Sequence, residues 1–265
     1  MSALWTAECV LLIFSEGIDM RMKALIGFPP LALMLFVTAS AQQPAPVKAP
    51  ARPQAVAAIA QTKETQAAIT PQIALQMLKD GNQRFVSGTM KKRDLTKQVK
   101  ATAGGQFPFA TIVSCMDSRA APELVFDQGI GDVFSPRVAG NFVNDDILGS
   151  LEYGSGAVGA RLIVVLGHSD CGAVKGACDN VKLGDLLPAT LASLKPAIDA
   201  VPNDGTPRNS KNYAFVQRVA DMNVTLAVKR IRDKSSLLRG MADKGEIKIV
   251  GAMLDVKTGK VTFVE

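Results

Sequence analysis

Apolar positions along the chain fall into short solid runs and into spaced stripes, and their order predicts alternating strands and helices. Thr70-Pro71 supplies a helix cap and a first-turn proline, and Ile73, Leu75, Met77 and Leu78 continue the helix until Gly81 ends or bends it. Residues 109–114, FATIVS, form a compact apolar run of the kind a buried strand shows, and residues 133–138 predict a second strand. A helical segment follows from Asp145 to Tyr153, and RLIVVL at 161–166 is the clearest strand of all. Tyr213, Val216, Ala220, Val224, Ala227 and Ile231 recur at three- and four-residue steps, which marks one face of a long helix. IKIVGAMLDV, then Lys257-Thr258-Gly259-Lys260, then VTFVE predict a closing hairpin. The implied fold class is α/β, with a mostly parallel central sheet flanked by helices and a C-terminal hairpin. Function in such a fold is expected at the carboxyl ends of the strands.

The N-terminal region does not share this pattern. Met20-Arg21-Met22-Lys23 is a short basic start, Ala24 to Val37 is apolar apart from Gly27, Pro29 and Pro30, and Ala39-Ser40-Ala41 is a small-x-small cleavage pattern. The run is short for a bilayer and holds two prolines, so a stable membrane anchor is not expected. The boundaries read as 1–19 an upstream extension with Met20 the natural start, 20–41 a signal peptide, 42–62 a Pro- and Ala-rich disordered linker, and 63–265 the folded domain. A periplasmic or secreted location follows as an expectation. The 265 residues are 48% hydrophobic and 5% aromatic, so small aliphatic side chains do most of the packing. A net charge of +6, with Lys and Arg spread out and no interleaved aromatics, gives no nucleic-acid footprint but suits a small anion.

The chemistry concentrates after two of the strands. Cys115-Met116-Asp117-Ser118-Arg119 follows the first, and His168-Ser169-Asp170-Cys171 follows RLIVVL, with His168 the single histidine of the chain. Two thiolates and one imidazole make a three-ligand zinc set that leaves a fourth tetrahedral position for water or substrate. Zinc brings the pKa of a bound water toward about 7. Two thiolates cancel the ion's formal charge, so activity is expected to rise toward alkaline pH. Asp117 is a further ligand or a nearby base, and Arg119 can hold its carboxylate through paired hydrogen bonds. With His168 committed to metal, no other histidine can shuttle protons, which predicts sensitivity to buffer. Gly154-Ser155-Gly156-Ala157-Val158-Gly159 matches a dinucleotide fingerprint but precedes a strand instead of following one, and is read as a loop. Cys178 has no place in a metal pattern and reads as a small buried residue.

Cys115-x-Asp117-x-Arg119 paired with His168-x-x-Cys171 resembles the signature of the beta-class carbonic anhydrases. The similarity runs over about residues 72–260 and includes Gly81-Asn82-x-Arg84-Phe85, Arg137-x-Ala139-Gly140-Asn141, Gly167 and Gly172. The resemblance implies reversible hydration of carbon dioxide to bicarbonate and a proton through zinc-bound hydroxide, with one Zn2+ per subunit held by Cys115, His168 and Cys171. It implies a homodimer or a multiple of dimers with pockets at the subunit interface, and a catalytic Asp117–Arg119 dyad. Gln106 then matches an amide donor to substrate, Gly172 a backbone N–H beside the metal, and Phe134, Ala139 and Tyr153 the pocket wall. Ala139 is smaller than the valine associated with that position, and Val138 replaces a common asparagine. Members with a bicarbonate-controlled closed form carry a tryptophan where this chain has Ile112, so an open form with Asp117 off the metal is expected. Two other readings remain: a hydrolase of carbon disulfide or carbonyl sulfide on the same fold, and a non-catalytic zinc-binding or thiol-redox protein.

Overall fold

The computed structural model describes residues 60–264. The extension, the signal segment and nearly all of the linker lie outside the described residues. In chain order the elements are α1 (Lys63–Ala67), α2 (Pro71–Val86), α3 (Leu95–Thr102), β1 (Ala110–Ser114), α4 (Pro122–Val125) and β2 (Val133–Phe134). Then come α5 (Asp145–Glu152), a π turn (Tyr153–Ala157), β3 (Leu162–His168), α6 (Gly172–Cys178), α7 (Leu187–Ala192) and α8 (Lys195–Ala200). The chain ends with α9 (Tyr213–Lys234), α10 (Ser236–Asp243), β4 (Lys248–Leu254) and β5 (Val261–Val264).

The strands form one sheet in the order β2-β1-β3-β4-β5, parallel except for β5, which closes the expected hairpin against β4. Every residue of β1 and of β3 is buried, which is why both read as unbroken apolar runs instead of alternating ones. Ile112, Leu162, Val164 and Ala252 pack on one face against Ala74, Leu75 and Leu78 of α2 and Val125 of α4. Val113, Ile163, Val165 and Ile249 pack on the other against α5, α9 and α10 through Leu151, Ala227, Ile231 and Leu238. Each of these Val, Leu and Ile side chains contributes about 1.5–3 kcal/mol on full burial.

Three sequence expectations shift in detail. Gly81 neither ends nor bends α2 but lies within it, because a Cβ there would come 1.9 Å from the Phe126 carbonyl oxygen. The strand expected over 133–138 pairs as a ladder only at Val133–Phe134, and Pro136, which has no N–H to give, leaves an isolated bridge between Ser114 and Arg137. Residues 154–157 are not loop: they continue α5 as the π turn, and the chain leaves that turn just before β3.

The cores position the site at one end of the sheet. Gly167 and Gly251, on neighbouring strands, let Val224 of α9 press onto the sheet, and a Cβ at Gly167 would lie 2.6 Å from both Val224 and the Met253 sulfur. A third apolar cluster joins Cys115 and Cys171 to Val174, Leu194, Phe215 and Val219, so the two thiols sit in a packed, low-dielectric end of the core.

Candidate metal centre

The end of β1 delivers Cys115, and β3 runs one residue past its apolar core to end at His168, with Cys171 capping the start of α6. Their ligand atoms all lie within 4.8 Å of one another, and all three residues are buried. The sulfurs of Cys115 and Cys171 are 4.0 Å apart. An S–H···S hydrogen bond spans that separation. The hydrogen bond from Cys171 pulls the Cys115 thiol down to about 4, and the same bond, with burial, pushes Cys171 up. A cation replacing that proton would leave two thiolates.

The imidazole is oriented for the same purpose. His168 Nδ1 lies 2.9 Å from the Ser169 carbonyl oxygen, a group that can only accept, so Nδ1 carries the proton and Nε2 keeps its lone pair. Nε2 is buried and has no hydrogen-bond partner. A buried orphan acceptor beside two thiols is what a metal ligand looks like before its metal is counted, and the S, S, N donor set is soft enough for zinc. Burial disfavours the imidazolium, yet the Cys115 thiolate and the Ser169 carbonyl outweigh it and raise the pKa of His168.

Asp117 stands beside this cluster and outside it. Arg119 grips its carboxylate with Nε on Oδ1 at 3.0 Å and Nη2 on Oδ2 at 2.8 Å, and the Arg119 N–H adds a bond of 2.9 Å to Oδ1. The Arg119 bonds prevail over burial and hold the Asp117 carboxyl well below the usual carboxylate range. Its Oδ2 comes to 3.9 Å from His168 Nε2, so a charged acceptor faces the place where the three ligand atoms converge. Asp117 is thus paired with Arg119 and not counted in the Cys115–His168–Cys171 cluster.

Four hydrogen bonds escaped the sequence reading of the site. Arg137 donates from Nε to the Cys115 carbonyl at 2.9 Å and from Nη2 to the Asp117 carbonyl at 2.6 Å, which clamps the loop that carries Cys115 and Asp117. Gly140 donates its N–H to Cys115 Sγ at 3.3 Å, and Asn223, buried on α9, donates to the Gly140 carbonyl at 2.8 Å. The signal for Asn223 was a polar residue interrupting the apolar face of a long helix.

The remaining expected site residues are not all gathered here. Gly172 follows Cys171 directly as the first residue of α6, and Ala139 is half-buried next to Gly140. Gln106 is exposed between α3 and β1. Phe134 and Tyr153 pack against each other, ring centres 6.1 Å apart, and line with Thr111 a cleft of about 750 Å³ that includes none of the three ligand residues. Tyr153 is 57% exposed.

A family model described as carbonic anhydrase matches residues 110–261. Carbonic anhydrase 2 of Mycobacterium tuberculosis is 35% identical over 198 residues, which cover 73% of this chain and 92% of that protein. A carbonic anhydrase of Pseudomonas aeruginosa is 30% identical over 188 residues, 69% of this chain and 84% of that one. Among solved structures, a beta-carbonic anhydrase of Aspergillus fumigatus superposes with a TM-score of 0.56 at 25% identity, over 73% of this chain and 90% of that one. One from a study of two tetrameric beta-carbonic anhydrases of Sordaria macrospora gives 0.54 at 25%, over 62% and 84%.

Proposed function

Because this chain belongs to the beta-class carbonic anhydrases and is a carbonate dehydratase, we propose that it hydrates carbon dioxide with one zinc held by Cys115, His168 and Cys171. The observation that carries this reading is the buried, unpartnered Nε2 of His168 beside two thiols 4.0 Å apart. Zinc bound there supplies a Lewis acid that makes a water nucleophile available near neutral pH. The chain's own residues do the rest. Asp117 accepts a hydrogen bond from the attacking water and turns its lone pair toward carbon dioxide, and Arg119 keeps the carboxylate charged and aimed. The Gly172 N–H serves the substrate oxygen beside Cys171.

Gln106, Phe134 and Tyr153 complete the pocket of a partner subunit, in a homodimer or a multiple of dimers. Support comes from the separate cleft that holds Phe134 and Tyr153 and from the tetrameric relatives. The N-terminal signal pattern supports export to a periplasm or beyond. Among the described residues no helix is long and apolar enough to cross a membrane.

A zinc count and stopped-flow hydration test the reading on protein starting at Gln42. One zinc per chain is expected, with fast hydration that falls about 10²-fold or more in Asp117→Asn. Bound zinc without hydration at alkaline pH would overturn it and turn attention to carbon disulfide or carbonyl sulfide.

A further inference from the structure

We propose that Ser169 is a positioning residue for His168, through which the C-terminal hairpin sets how the imidazole faces the metal; this rests on the zinc reading above. The β3–β4 ladder ends at the pair His168–Leu254, so residue 169 is the first beyond the sheet. Asp170 follows in a left-handed conformation, φ 57°, and turns the chain into Cys171. A carbonyl in such a reversal has no ladder to fix it. Yet the Ser169 carbonyl is the group that takes the Nδ1 proton at 2.9 Å.

Three bonds to the hairpin fix that residue instead. Its N–H donates to the Leu254 carbonyl at 2.8 Å, its Oγ accepts from the Val256 N–H at 3.0 Å, and its hydroxyl reaches Asp255 Oδ1 at 3.4 Å. Anchoring both the main-chain nitrogen and the side chain fixes the frame about its Cα and the position of its carbonyl carbon, which leaves the one torsion into the left-handed turn at Asp170 to aim the oxygen. Asp255 is itself immobilised by the Lys257 N–H at 2.9 Å and the Thr258 hydroxyl at 2.8 Å. The far end of the hairpin is tied to α2, where Asn82 accepts from the Val261 N–H at 2.9 Å and donates to the Gly259 carbonyl at 2.8 Å. If the carbonyl swings away, Nδ1 loses its acceptor, the ring is free to rotate, and Nε2 no longer points at the two sulfurs. Outer partners of a ligand histidine commonly account for 10–100-fold in metal affinity.

The chain has one histidine, so 15N-histidine labelling gives one imidazole to watch. The experiment compares the zinc-loaded native chain with Ser169→Ala and Ser169→Thr. It follows hydrogen exchange of the ring Nδ1–H and zinc transfer to a chelator, alongside the melting temperature of the metal-free forms. In the native protein the Nδ1 proton is protected. In Ser169→Ala it exchanges about tenfold faster or more, zinc transfer accelerates on the order of 10–100-fold, and Ser169→Thr, which keeps the hydroxyl, restores both. A role confined to the stability of the turn would lower the metal-free melting temperature of Ser169→Ala and leave proton protection and zinc transfer at native values; that result overturns the proposal. A native chain that takes up no zinc would sink the metal reading and this proposal together, a pattern distinct from native zinc binding that the variant leaves unchanged.

Discussion

Asp117 meets Arg119 through both carboxylate oxygens, and the loop beneath it is pinned by Arg137 at the Cys115 and Asp117 carbonyls. One arginine keeps the Asp117 carboxylate charged and the other holds its main chain in place. Arg137→Ala removes two charge-assisted bonds to the loop, each worth about 1.5–3 kcal/mol, while all three ligands stay. We expect near-native zinc content with hydration reduced about tenfold or more, since small misplacements of catalytic groups are costly; native turnover would show that the clamp is idle. Asp117 stays ionised far below neutrality, so it contributes no pH step near pH 7. The alkaline rise in activity should therefore track the metal's water alone, and a hydration profile that is flat from about pH 6 to 9 would contradict the weak-Lewis-acid argument. The Cys115, His168 and Cys171 cluster and the Asp117–Arg119 pair were legible as residue types at fixed spacings after strands. Their supports were not. Arg137, Ser169 and Gly140 act on, or through, main-chain carbonyls and amides, and a carbonyl leaves no mark in a sequence.

Between elements, the helix motif Gly81-Asn82-x-Arg84-Phe85 proves to be a seam with the rest of the fold. Gly81 lets α2 close on the Phe126 carbonyl, Asn82 ties it to the hairpin, and Arg84 reaches Asp127 at 2.5 Å. Asp127 is fully buried and also takes Arg93 and the Lys91 N–H at 3.2 Å. Removing it in Asp127→Ala leaves two arginines facing a dry pocket and should cost about 3–5 kcal/mol in urea unfolding; a loss below about 1 kcal/mol would mean water reaches the pocket. Burial raises the pKa of Asp127, but the hydrogen bonds from Arg93 and Arg84 win and hold it below its ordinary value. Its stabilisation is thus complete above the unfolded value of about 3.9 and is lost as pH falls through the depressed folded one. Acid titration of native protein against Asp127→Asn should show the native advantage shrinking only below about pH 4. Gly81→Ala should destabilise by about 1–3 kcal/mol or more through the forced shift at Phe126. The strands β1, β3 and β4 were legible because burial on both faces leaves solid apolar runs. The shortness of β2 and the π turn were not, because a proline and a change of helical pitch alter pairing without altering hydrophobicity. The helices α1, α3, α4, α6–α8 and α10 went unread because they are short, and one or two turns leave no repeating apolar stripe to recognise.

At the scale of the whole molecule, Tyr153 and Phe134 sit in one cleft while the metal ligands converge in another part of the chain. If each subunit lends these rings to its neighbour, inactive chains should rescue one another. Mixed oligomers of Asp117→Asn and Tyr153→Ala chains would contain one site with both residues intact, so hydration should exceed the mean of the two parents. Activity equal to that mean would place Tyr153 at its own subunit's metal. Composition and periodicity carried none of this arrangement, because they report what a residue prefers and not which copy of the chain it serves.

The 4.0 Å between Cys115 and Cys171 has a consequence once the metal leaves. The strands that present the ligands are held by their own ladder, β1 on β3 over five paired positions, so chelation should strip the site without melting the sheet. What remains is a frame that can be refilled, and also a pair of neighbouring thiols that a modest rotation brings toward the ~2.05 Å of a disulfide. Reloading then becomes a race against oxidation. The lifetime of such a protein outside a reducing environment is set less by how well it folds than by how seldom its two sulfurs are left alone with each other.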